Sequence, residues 1–159
     1  MRWRLGVLAT GLLVSAGARS QPFEAALECG QWGLGPTAEH ALALQVELRP
    51  GVRWWWVRPV AGFLQSTDGT QMIYGGVLLD IPILPGVTLS PGFAPMIRFV
   101  DGTRDFGSHL LFKTSIELGV PLLPGLRALA NFAHISNGKL AKPNPGIERL
   151  MFGVELALE

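Results

Sequence analysis

The chain has 159 residues, of which 48% are hydrophobic and only 16% charged, with a formal net charge of +1. So neutral a balance lacks the basic stripe that nucleic-acid binding requires, and a single cysteine, Cys29, excludes an intramolecular disulfide framework. Twenty glycines and twelve prolines predict many turns and therefore many short elements.

The N-terminus has the layout of an export signal. Arg2 and Arg4 form a positive leader, Leu5 to Val14 an apolar core, and Ala16-Gly17-Ala18 a small-residue cleavage site. Residues 1–18 are therefore expected to be a signal peptide and residues 19–159 the exported domain. Glu28 immediately before Cys29 argues against lipoprotein processing and leaves the cysteine as an apolar strand residue. No later apolar run approaches the ~20 residues of a spanning helix. An exported, oily chain of this kind is expected to be a barrel, either in the outer membrane or soluble in the periplasm.

Period-2 alternation recurs along the rest of the chain. Leu42, Leu44, Val46 and Leu48 share one face with His40, opposite Gln45 and Glu47. Leu110, Phe112, Thr114, Ile116 and Leu118 oppose Lys113, Ser115 and Glu117. Leu150, Phe152, Val154, Leu156 and Leu158 oppose Arg149, Gly153 and Glu155. Turn residues divide the sequence into eight predicted strands: 23–33, 38–48, 53–64, 71–82, 86–99, 107–120, 126–136 and 148–158. Their lengths suit strands crossing a bilayer at a tilt. Pro59, Pro91 and Pro95 fall inside strands and predict bulges or local loss of pairing.

The connections alternate as well. Arg49-Pro50-Gly51, Pro85-Gly86 and Pro124-Gly125 are tight turns; Gly33 to Thr37, Gln65 to Thr70, Val100 to Phe106 and Asn137 to Ile147 are longer loops. Short turns at one end and long loops at the other fit an eight-stranded antiparallel transmembrane β-barrel in the outer membrane. Trp54-Trp55-Trp56, just past a tight turn, suits an interfacial aromatic girdle. A soluble lipocalin-like barrel would turn the apolar faces inward instead. The last residues, Leu158-Glu159, lack the aromatic that commonly ends outer-membrane barrels, which implies a weaker assembly signal.

Three residues near the last long loop form a candidate site. On the seventh strand His134 and Ser136 share a face with Ala128, Ala130 and Phe132. On the eighth, Glu148 is in register with Leu150 and Phe152. Nucleophile, base and acid thus extend the apolar face at one end of one hairpin, where cross-strand neighbours lie ~4.5–5.5 Å apart. These groups make up a serine-esterase triad; interfacial polar residues at strand ends are the plainer reading. On a lipid-facing surface polar groups are costly unless functional. His40 and His109 have no acidic or cysteine partners at ligand spacing, so no metal site is expected.

The pattern aromatic-x-His-x-Ser-Asn, a short loop, Asn-Pro-Gly and Glu, read here as Phe132-Ala133-His134-Ile135-Ser136-Asn137, Asn144-Pro145-Gly146 and Glu148, resembles the active-site region of the outer-membrane lipid A 3-O-deacylase (PagL) family. The resemblance implies Ser136 as nucleophile, His134 as base, Glu148 as orienting acid and Asn144 in the oxyanion hole, with Asn137 matching the motif beside the serine. It implies hydrolysis of the 3-O-linked acyl chain of lipid A, no cofactor, and lipopolysaccharide and membrane lipid as partners; a homodimer is compatible with the sequence. Lys139, Lys142 and Arg149 are candidates for binding lipid A phosphates. The alternatives are a phospholipase or general esterase with the same triad, a non-catalytic structural barrel or adhesin, and a soluble ligand-binding barrel.

Overall fold

The computed structural model describes residues 19–20, 22–35 and 41–158. The expected signal peptide, residues 1–18, and His40 lie outside the described residues. Eight long strands follow one another: β1 (Phe23–Trp32), β2 (Ala41–Arg49), β3 (Val57–Ser66), β4 (Gln71–Leu79, continued past Asp80 by Ile81–Leu84), β5 (Val87–Val100), β6 (Leu110–Leu123), β7 (Leu126–Ser136) and β8 (Ile147–Leu158). Each pairs antiparallel with its sequence neighbours, and β8 pairs with β1 to close the ring. Closure removes the sheet edges and satisfies the backbone within the wall, as a lipid environment demands.

The direction of the faces decides between the two barrels. On β2, Leu42, Leu44, Val46 and Leu48 are 38–65% exposed, whereas Gln45, Glu47 and Arg49 are at most 1% exposed. The same inversion runs around the ring: Phe93, Ile97, Ile116, Phe132, Phe152 and Leu156 point outward, while Arg58, Lys113, Glu117, Asn131 and Glu155 are buried inside. A soluble barrel would bury the first set and expose the second, so that alternative is overturned by the faces themselves.

The lumen has two layers. At the short-turn end, Arg49 donates to Glu47 at 2.6 Å and Glu117 at 2.7 Å and also contacts Glu155. Arg58 bonds Glu24 and Glu155, each at 2.7 Å, and lies 2.9 Å from Asp80. At the long-loop end the filling is apolar, with Trp32, Leu64, Met72, Met96, Phe106 and Ile135 in one cluster. Tyr74 sits at the boundary, its hydroxyl donating to Glu47 at 2.8 Å.

Two expectations shift. The third strand starts at Val57, not at residue 53, because Val52 and Arg53 pair with Ser20 and Arg19. Trp54 and Val57 exchange two backbone hydrogen bonds of 3.0 Å, and Trp55 takes a positive φ of 58° between them. All three tryptophans therefore project from the turn itself, 56–74% exposed. The prolines in β5 do not end it: Pro91 pairs with Ile116 and Pro95 with Phe112 of β6. The missing donors fall on the other side, where the β4–β5 ladder skips from Tyr74↔Met96 to Val77↔Phe93 and breaks again between Leu78↔Gly92 and Ile81↔Leu89.

Candidate active site

β7 and β8 run in continuous antiparallel register from Leu126↔Leu156 to Ile135↔Ile147, and this places His134 directly opposite Glu148. Both side chains face outward, each 46% exposed, and His134 Nδ1 lies 3.0 Å from Glu148 Oε1. Occupation of Nδ1 by a carboxylate assigns the proton to that nitrogen and leaves Nε2 with its lone pair. Ser136 continues the same face at the last paired position of β7, opposite Phe112 of β6. Among the described residues it makes no hydrogen bond to the imidazole; such a nucleophile–base bond commonly tightens only around substrate.

The site tops an apolar column. Below His134 on the outer wall lies Phe132, and below Glu148 lie Leu150 and Phe152, with Phe132 and Phe152 each more than 40% exposed. Beside Ser136, Phe112 stacks on Phe93 with ring centres 6.0 Å apart, and Gly138 packs against the Phe112 ring, which lies 3.1 Å from where a Cβ would stand.

The β7–β8 loop is held from within. Asn137 is fully buried. Its Nδ2 donates to the carbonyls of Phe106, Ala141 and Pro143 at 2.7, 3.0 and 3.1 Å, and its Oδ1 accepts from Lys139 N at 2.8 Å. The residue that matched the motif beside the serine thus spends its amide on the loop. Its backbone N–H donates to Asn144 Oδ1 at 3.0 Å, which fixes the plane of the Asn144 amide. Lys139 and Lys142 are exposed on this loop, whereas Arg149 is 0% exposed and points into the lumen, where it donates to Met151 Sδ. Arg149 is therefore not a surface phosphate ligand: a residue adjacent to outward Glu148 on a strand must face inward.

Gly146 and Arg104 complete the surroundings; Gly146 belongs to the Asn-Pro-Gly motif but its contact with the imidazole carried no sequence signal, and neither did Arg104. Gly146 has a φ of 61° and lies against the imidazole; a Cβ there would stand 2.8 Å from His134 Cε1. Arg104, from the β5–β6 loop, donates to the Gly146 carbonyl at 3.2 Å. His109 Nδ1 donates to the Arg98 carbonyl at 3.0 Å.

Glu28, Glu47 and Glu117 bring one carboxylate oxygen each to within 4.8 Å of one another. They lie inside the barrel, and Lys113 bonds Glu47 at 2.9 Å while Arg49 bonds both Glu47 and Glu117. Their charge is matched by protein cations, which makes the cluster an ion-pair network rather than an open ligand set.

Among solved structures, the crystal structure of the outer membrane enzyme PagL resembles this chain with a TM-score of 0.64 and 19% identity, covering 85% of this chain and 99% of that one. Neisserial surface protein A matches with a TM-score of 0.65 and 13% identity over 89% and 99% of the two chains. A de novo designed transmembrane barrel matches at 0.60 with 10% identity over 87% and 95%. At such identities the likeness speaks for the fold alone. No curated protein sequence matches the chain significantly. The family model described as lipid A 3-O-deacylase (PagL) matches residues 42–157, most of the barrel and all but the last residue of the β7–β8 hairpin. The chain therefore belongs to the lipid A 3-O-deacylase (PagL) family of outer-membrane β-barrels.

Proposed function

We propose that this protein hydrolyses the 3-O-linked acyl ester of lipid A in the outer leaflet, with Ser136 as nucleophile, His134 as general base and Glu148 as its orienting acid. The observation that carries the reading is the 3.0 Å His134–Glu148 contact on the outer wall, with Ser136 next along the same face. Family membership supplies the substrate class. Residues 1–18 act in the same proposal as the export signal for the barrel that follows.

Glu148 holds the imidazole with Nδ1 protonated, so Nε2 takes the Ser136 proton as Oγ attacks the ester carbonyl. The tetrahedral oxyanion is met by the Asn144 amide, whose oxygen is already committed to Asn137 N and whose NH₂ remains the donor. One such donor is worth ~3–4 kcal/mol of transition-state stabilisation. His134 then returns the proton to the departing sugar oxygen, leaving an acyl-Ser136 ester. Water, deprotonated by His134, attacks that ester, and the fatty acid leaves as Ser136 recovers its proton. A base that must be neutral makes the reaction fail in acid. The acyl chain would lie along the apolar column below the site, so the ester can be reached without leaving the lipid.

Expression of wild type, Ser136→Ala and His134→Ala in an outer membrane, followed by mass spectrometry of extracted lipid A, is the test. Wild type should remove one hydroxyacyl chain, and each variant should lose activity by about 10²–10⁴-fold or more. Undiminished deacylation by either variant would remove the triad. Deacylation of phospholipid in preference to lipid A would transfer the site to the phospholipase reading.

A further inference from the structure

We infer that Arg104 is a positioning residue for His134, acting through the backbone of Gly146; the inference rests on the triad reading above. Glu148 restrains the imidazole at Nδ1 alone. The adjoining Cε1–Nε2 edge of the ring faces Gly146: a Cβ there would stand 2.8 Å from Cε1 and 3.4 Å from Nε2. The half-exposed ring therefore has a carboxylate at Nδ1 and a backbone wall along the edge that leads to Nε2. Displacement of that wall would free the nitrogen that must receive the serine proton.

Gly146 is the last loop residue before β8, in a left-handed conformation. Its carbonyl accepts from Arg104 Nη1 at 3.2 Å, a bond that crosses from the β5–β6 loop to the β7–β8 loop. Arg104 is anchored in turn. Its own carbonyl accepts from Arg98 Nη1 at 3.1 Å. Arg98 is 3.0 Å from Asp101, and its guanidinium lies 5.4 Å over the Phe106 ring. The two loops also meet where Asn137 donates to Phe106 O and where Gly107 packs on Pro143, the space for a Cβ there ending 2.3 Å from Pro143 O. Arg104 is thus the end of a chain of contacts that starts in the lumen and ends at the imidazole. A guanidinium stays charged at any working pH, so this brace persists while His134 gains and loses its proton.

The experiment uses the full chain in detergent micelles. Arg104→Ala should lower kcat about 10- to 100-fold, the scale of a small misplacement of a reacting group, with KM within about twofold. Arg104→Lys, which keeps one donor for the Gly146 carbonyl, should recover at least half of that loss on a logarithmic scale; it also serves if the alanine variant does not fold. The deficit should be the same on lipid A stripped of its phosphates. In a Ser136→Ala background the His134 Cε1–H resonance should shift or broaden on Arg104→Ala and return with Arg104→Lys. An unmoved resonance with unchanged kcat would overturn the inference. So would a rise in KM at constant kcat that disappears on the dephosphorylated substrate, since Arg104 would then be a phosphate ligand. The resonance arm does not need turnover, so inactivity of the wild type would overturn the triad reading and leave the positioning result standing on its own.

Discussion

Gly146 carries two constraints that no other residue type meets together. Its φ of 61° is costly for a residue with a Cβ, and a Cβ would also press on the imidazole. Gly146→Ala should therefore cost about 1–2 kcal/mol in backbone strain but about 10²-fold in kcat, because the ring must move or tilt away from Glu148. Comparison of kcat with the thermal midpoint checks this: a loss of kcat no larger than the loss of stability explains would contradict it. At this scale the sequence was legible where strand parity applies. His134, Ser136 and Glu148 fell on one outward face because period 2 leaves no choice. Parity would also have placed Arg149 inside, where it is. The packing of Gly146 on His134, the place of Arg104 and the bracing part of Asn137 were not legible, since they depend on how loop residues fold over one another in space.

At the level of elements, the β3–β4 loop shows how the long-loop end is tied down. Asp68 accepts from Thr70 N at 2.8 Å, from Trp32 Nε1 at 3.2 Å and from the Ser66 hydroxyl. Burial pushes its carboxyl up, but these hydrogen bonds outweigh burial and hold it below the usual carboxylate range. The folded loop therefore prefers the ionised form. Its support is complete above the ordinary carboxylate value and is lost as pH falls through the lowered one. Asp68→Asn should weaken the loop by about 1 kcal/mol, given its partial exposure, and the Thr70 amide should exchange several-fold faster at neutral pH. Equal exchange in the two proteins would show that the carboxylate does not hold the loop. Alternation and turn residues set the eight strands and their order in advance. The start of β3 was displaced because Val52 and Arg53 find partners in Arg19 and Ser20, a pairing that no local pattern announces. The prolines behaved as chemistry requires: Pro91 and Pro95 sit where β5 has lost its pairing with β4.

Across the whole molecule, the lumen depends on matched charge. Arg49 is fully buried and is shared by Glu47, Glu117 and Glu155. Arg49→Met would leave those carboxylates without their common cation and should destabilise the barrel by about 3–5 kcal/mol, read from urea unfolding in lipid vesicles. Unchanged stability would mean that the remaining cations, Arg58 and Lys113 among them, suffice. The polar side of each strand pointed to a polar interior, yet the ion-pair network lies toward the tight turns, and toward the loops the interior is mainly apolar, with buried Arg98 and Arg149 among the apolar residues. The difference arises because inward positions near the loops hold Trp32, Met96 and Ile135, which alternate with outward apolar neighbours and so blur the pattern.

The hairpin that carries the proposed triad occupies one sector of the circumference, and the bore behind it is filled. A molecule working through its flank has a perimeter to defend rather than a passage. On that proposal its customers would come sideways, from a single bearing, already dissolved in the same two-dimensional fluid. Crowding of that quarter by a neighbouring body would silence the protein without touching a single one of its atoms.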